Sequence, residues 1–192
     1  MNMMFNTDPE ETKKSLQSVN IVAGQDGLYE VRQNTIGTFV GKKETVPSLK
    51  PIKEGAQFNL SLIPASFLLE ACAHFWDCYQ KGIEGRYQIF WDNKDYFGYI
   101  PESRATATKL ETFRNVDLEL KFPMVVDIHS HLSKTVVFSK TDDENELEGG
   151  KFYLVVGIAG GYQNQPPMRM RYYSGRYVYL SPWVVFENPW EG

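Results

Sequence analysis

The spacing of apolar positions changes several times along this chain, and each change marks an element. Between Pro64 and Lys81, Leu68, Ala71, Cys72, Phe75, Cys78 and Tyr79 recur at three- and four-residue intervals, while Glu70, His74, Asp77 and Lys81 fall on the opposite side. That pattern predicts an amphipathic helix with His74 on its solvated face, entered at Pro64 and stopped by Gly82. Other segments read as strands. Residues 21–23 and 28–32 flank Gly24-Gln25-Asp26-Gly27 as a hairpin, and residues 36–40 follow as a third strand. Residues 84–91 and 96–100 flank a polar turn at Asp92 to Asp95. Residues 122–131 and 151–159 are apolar and β-branched enough to be buried strands, the first of them central, and residues 168–173 and 176–180 form a hairpin around Ser174-Gly175. An acidic helix is expected over residues 142–148, with Ser139 at or near its cap. Residues 101–115 fit either strand or loop, residues 42–55 read as a loop, and residues 1–16 as a disordered tail.

These elements describe an α/β protein in which a β-rich extension, residues 1–60, precedes a core of residues 61–192. A chain of 192 residues with 42% hydrophobic and 23% charged residues can bury a real core. The net charge of −4, without a basic cluster, argues against nucleic acid as a partner. The apolar run at residues 153–159 is too short to span a bilayer and the N-terminus lacks the apolar core of a signal peptide, so the expected location is the cytoplasm, with no membrane partner. Cys72 and Cys78 lie on one helix and point apart, which predicts unpaired, packed thiols.

The candidate chemistry is concentrated after the central strand. Two of the three histidines, His129 and His131, alternate with Ser130, so both imidazoles share a strand face. Ser139 and Asp142 follow, giving H-x-H-x7-S-x2-D. Two imidazoles and a carboxylate suit Zn2+ in a catalytic site whose fourth position is left to water. Ser139-x-x-Asp142 is also the outline of a capping box. Asp127 shares the parity of both histidines and could orient an imidazole, whereas Asp143 reads as a solvated first-turn carboxylate.

The string IHSHLSKTVVFSKTD resembles the metal-binding motif of the JAB/MPN (JAMM) metalloprotease family. The resemblance spans roughly residues 61–180, and Leu132 and Phe138 stand where the family often has proline. Its wording is most similar to the bacterial branch known as PRTRC system protein A, whose members accompany a ubiquitin-like protein and a ThiF-type activating enzyme. The resemblance implies a cytidine-deaminase-like fold, a mixed, curved sheet packed by helices. It also implies zinc held by His129, His131 and Asp142, with Ser139 donating to an oxyanion. The family further places a Glu at the strand edge after the first helix. Of Glu70, Glu84 and Glu102, Glu84 opens the strand after the helix, 45 residues before His129, and is assigned as general base. The implied activity is zinc-dependent peptidase or isopeptidase cleavage at the C-terminal tail of a ubiquitin-like protein or peptide. One alternative is a catalytically silent MPN scaffold, although such domains typically lose the ligands that are present here. Another is a metal-dependent phosphoesterase, which would need further histidines that are missing after His131.

Overall fold

The computed structural model describes residues 2–4, 19–24, 27–44, 52–105 and 110–191. Contacts divide the chain into two compact units: Met1–Ser61 with Asn145–Lys151 and Arg171–Leu180, and Leu62–Glu144 with Phe152–Met170 and Ser181–Gly192.

The first unit contains five strands, β1 (Asn2–Met4), β2 (Val19–Gly24), β3 (Gly27–Gln33), β4 (Gly37–Glu44) and β5 (Gly55–Phe58), ordered β1-β2-β3-β4-β5. The expected hairpin is present, with β2 and β3 antiparallel and Gly24 opposite Gly27, although residues 25–26 lie outside the described residues. Two expectations are corrected. Residues 2–4, expected in a disordered tail, pair in parallel with β2, while residues 5–16 are outside the described set. The expected loop of residues 42–55 is partly strand, because β4 runs on to Glu44 and Gly55 begins β5. Two lysines within β4 hid it in the sequence. Lys43 reaches Glu30 at 3.2 Å and Lys42 lies over the Tyr29 ring, so cross-strand partners accommodate both charges.

One buried ion pair ties this unit's later segments together. Arg171 donates from Nε to Oε2 of Glu146 at 2.8 Å and lies 3.9 Å over the Tyr177 ring. Their side chains are only 1% and 4% exposed, so either charge left alone would be stranded away from water.

The second unit begins with helix α1 (Ala65–Gln80), whose buried residues Leu68, Ala71, Cys72, Phe75 and Cys78 are the predicted stripe. Gly82 ends the helix as expected, at φ +69°, where a Cβ would be strained. Cys72 and Cys78 are free and buried. The strands that follow are β6 (Arg86–Trp91), β7 (Tyr96–Tyr99), β8 (Ser103–Ala105) and β9 (Leu110–Thr112). Next come α2 (Val116–Lys121), β10 (Met124–His131), α3 (Lys140–Asn145), β11 (Phe152–Gly157), β12 (Met168–Tyr173) and β13 (Tyr177–Leu180). The main sheet has the order β13-β12-β11-β10-β6-β7, with β13 and the end of β12 from Arg171 assigned to the first unit. It is mixed: β10 runs parallel to β11 and antiparallel to β6. With α1 against β6 and β10, this gives the mixed α/β architecture expected from the sequence.

Residues 101–115 include the antiparallel pair β8 and β9. Helix α2 escaped prediction because it buries none of its residues and so shows no apolar stripe. Its signal lay in its ends. Asn115 caps it by accepting from the Leu118 amide at 3.1 Å, Asp117 and Glu119 stand in the first turn, and Lys121 in the last. Among the described residues no helix is long and apolar enough to cross a membrane.

Because Glu146 is the carboxylate partner of a buried guanidinium, Glu146→Ala is expected to lower unfolding free energy by about 3–5 kcal/mol. Equilibrium urea denaturation checks this. A loss below about 1 kcal/mol would mean that Arg171 finds another partner or water.

Candidate metal centre

Strand β10 is buried along both faces except at its last residue, so its side chains sort by parity. Asp127, His129 and His131 share one face. The β6 register pairs Ile128 with Tyr87 and His129 with Arg86; continued, it sets Ser130 against Gly85 and His131 against Glu84. The Ser130 amide indeed donates to the Gly85 carbonyl at 3.0 Å. Opposed residues of an antiparallel pair lie on the same face, which brings Arg86 and Glu84 to the histidine side. Glu84 does not open strand β6 as expected but precedes it by two residues, where the backbone has left the regular ladder.

The two imidazole Nε2 atoms are 3.3 Å apart, and His129 Nε2 lies 3.6 Å from Asp142 Oδ1. One donor atom from each of His129, His131 and Asp142 falls within 4.8 Å of the others. His131 Nδ1 lies 3.0 Å from the Thr135 carbonyl, and because that oxygen can only accept, Nδ1 carries a hydrogen and Nε2 is the nitrogen turned toward His129. Sequence reasoning missed Thr135, since a loop carbonyl gives no residue-type signal.

Lone pairs and a carboxylate oxygen converging at these distances repel unless a cation or a proton lies among them. The spacing is one that a metal can occupy. Two nitrogens each about 2.0–2.1 Å from a tetrahedral zinc stand about 3.3–3.4 Å apart, and the imidazole pair matches that chord. These donors thus fit a zinc ion without rearrangement of the histidines.

Electrostatics keep the donors in ligand form. Burial pushes His129 down to about 4, against the opposing pull of Asp142, so its imidazole is neutral at pH 7. Burial also pushes the Asp142 carboxyl up, but His129 and the hydrogen bonds to Ser139 outweigh it and hold the group below its usual range. Helix α3 starts two residues before its expected position because Ser139 and Asp142 close a reciprocal capping box. The Ser139 amide donates to Asp142 Oδ2 at 2.6 Å and the Asp142 amide donates to Ser139 Oγ at 3.2 Å. The same box aims the other Asp142 oxygen at His129.

Phe138 is 8% exposed and packs with Tyr153 and Val155. Its ring meets His129 edge-on at 6.0 Å, an apolar wall beside the site at the turn into α3.

Glu84 is half-buried, and burial raises its pKa; His131 opposes this and Asp142 adds to it. The other two glutamates are placed elsewhere. Glu70 accepts from the Tyr87 hydroxyl at 2.8 Å, and Glu102 shares a surface hollow with Tyr99, Phe113 and Arg114. On the same face Arg86 clamps Asp127, with Nε donating to Oδ1 at 2.7 Å and Nη2 to Oδ2. One further expectation is corrected. His74 is half-buried rather than solvated, its Nε2 3.7 Å from Cys78 Sγ, and burial lowers its pKa.

No model of a known protein family matches the chain, and no curated protein matches it. Among solved structures, it is similar to a JAB1/MPN domain protein from Archaeoglobus fulgidus, with 15% identity over 62% of this chain and 96% of the other and a TM-score of 0.41. The reading of the site therefore rests on the chain's own residues.

Asp142→Ala is expected to weaken Zn2+ affinity at least about 100-fold, while Asp143→Ala changes it by less than about 3-fold. Competition with a chromogenic chelator checks this, and equal losses would mean that the carboxylate ligand is misassigned. A second expectation follows from the raised Glu84 pKa. Below its unfolded value of 4.5 the carboxyl is protonated in both states and costs nothing; above the raised folded value, the buried charge destabilises the fold. Glu84→Gln should therefore raise the melting temperature of the zinc-free protein at pH 7 and lose that advantage below about pH 4.5. A gain that persists at pH 3.5 would contradict burial of the charge as its source.

Proposed function

We propose that this chain is a zinc-dependent metallopeptidase or isopeptidase of the JAMM type, nearest to the PRTRC system protein A branch. The observation that carries this reading is the convergence of His129, His131 and Asp142, with Glu84 drawn to the same side. These three side chains would hold the zinc ion. When bound, it would lower the pKa of a water molecule toward about 7 and polarise a carbonyl.

Glu84 acts as general base and then general acid, taking the proton of the attacking water and passing it to the leaving amine. Its pKa, raised by burial, moves the carboxyl toward the operating pH, as this double role requires. Ser139 Oγ accepts from the Asp142 amide, and the Ser139 side chain also hydrogen-bonds the Asp142 carboxylate, which keeps the hydroxyl beside the zinc-holding groups. From the exposed start of α3 that hydroxyl donates to the oxygen on which charge develops. Arg86 is neutralised by Asp127, so its fixed positive charge does not hold Glu84 ionised.

The substrate in this reading is the extended C-terminal tail of a ubiquitin-like protein, either trimmed from a precursor or released from a lysine. A ThiF-type activating enzyme encoded nearby would be the conjugating counterpart. Support for both comes from the residue wording of the motif. Such a tail would bind mainly through its backbone, which suits a site whose chemistry lies at the end of a strand.

The test uses a ubiquitin-like protein extended at its C-terminus by a short peptide. Glu84→Gln is expected to reduce cleavage at least about 10³-fold while one zinc per chain remains bound, whereas His131→Ala loses both. Cleavage by Glu84→Gln at the unsubstituted rate would remove Glu84 from the mechanism. A zinc-loaded protein that leaves this substrate and its lysine-linked form intact would favour a scaffold.

A further inference from the structure

Ser130, between the two histidines, points to the face opposite theirs and is fully buried. In a regular antiparallel rung Ser130 and Gly85 would exchange two backbone bonds. Only one is made that way, from the Ser130 amide to the Gly85 carbonyl at 3.0 Å. The Gly85 amide instead donates to the Ser130 hydroxyl, at 2.8 Å. The side chain thus takes over a ladder bond just before β6 begins, at the residue that follows Glu84.

The clamp is closed from the other side. A Cβ on Gly85 would stand 2.7 Å from Phe75 Cδ1 and 3.1 Å from Cys78 Sγ, both on α1. Gly85 therefore lies between the helix and Ser130, with no room to slide toward the helix. Glu84 inherits this fixed point. It is the neighbouring residue in the chain, and the continued β6 register sets it across from His131.

We propose that Ser130 is the positioning residue for Glu84. Its hydroxyl fixes the Gly85 amide, and through it sets where the carboxylate meets the zinc-holding face. This rests on the peptidase reading for its catalytic consequence, but the clamp itself can be measured without turnover. The H-x-H spacing puts the ligands on one face and so leaves the intervening residue free to organise the base from the other.

The experiment compares the zinc-loaded full chain with Ser130→Ala and Ser130→Thr by amide hydrogen exchange, zinc stoichiometry and cleavage of the extended ubiquitin-like substrate. In Ser130→Ala, exchange at Gly85 is expected to rise at least about 10-fold, with the His129 amide protected as before. Zinc stays at one per chain, and kcat falls about 10- to 100-fold with KM nearly constant, as for a displaced catalytic group. Ser130→Thr, which keeps the hydroxyl, restores both exchange and kcat. If Ser130→Ala does not fold, Ser130→Cys, of similar size and a poor acceptor, provides the same comparison. Unchanged exchange at Gly85 would overturn the clamp, and a kcat loss that tracks zinc loss would overturn the positioning role. A wild-type protein that binds zinc but cleaves nothing would count against the peptidase reading instead, and exchange at Gly85 would then decide the clamp by itself.

Discussion

The pairing of β10 with β6 is the constraint on which the site depends. One register decides that His129 faces Arg86 and that His131 lies across from Glu84. Because side chains alternate, a slip of one residue would turn both imidazoles into the helix-facing core and bring Ser130 to the metal side. Burial enforces the correct choice. Val126 and Ile128 fill the opposite face, and parallel pairing with β11 leaves β10 no edge along which to shift.

Given that register, the site's polarity follows from what is buried with it. His129 is walled by Phe138 and enclosed enough to stay neutral, whereas Asp142 is kept ionised by a capping box that also starts α3. A structural requirement of a six-residue helix and a chemical requirement of the site are met by the same two hydrogen bonds. Arg86 and Asp127 neutralise one another beside the histidines, so the charge left for the centre comes from Asp142 and Glu84. Imidazoles with carboxylates form a donor set that favours a divalent cation over an anion.

The helix α1, the buried strands and the H-x-H parity could be read directly because each carries a strong period: 3.6 for α1, continuous burial for β10 and β11, two for the histidines. The far end of β4 and helix α2 could not. Beyond the expected strand of residues 36–40, β4 carries lysines whose partners lie on another strand, and α2 has no apolar stripe because it buries nothing. Asp127 shows the limit of parity: it gave the right face but could not say that Arg86, also brought there by register, would claim the carboxylate. Thr135 acts through a carbonyl that every residue type possesses, and was invisible for that reason.

The central claim is that His129, His131 and Asp142 together hold one metal ion. Counting zinc per chain by mass spectrometry of the protein, after reconstitution and removal of loosely bound ion, tests it most directly when His129→Ala is run in parallel. One ion per chain, absent from the variant, is the predicted result. No ion in the unsubstituted protein, or one that survives the loss of His129, would contradict the account.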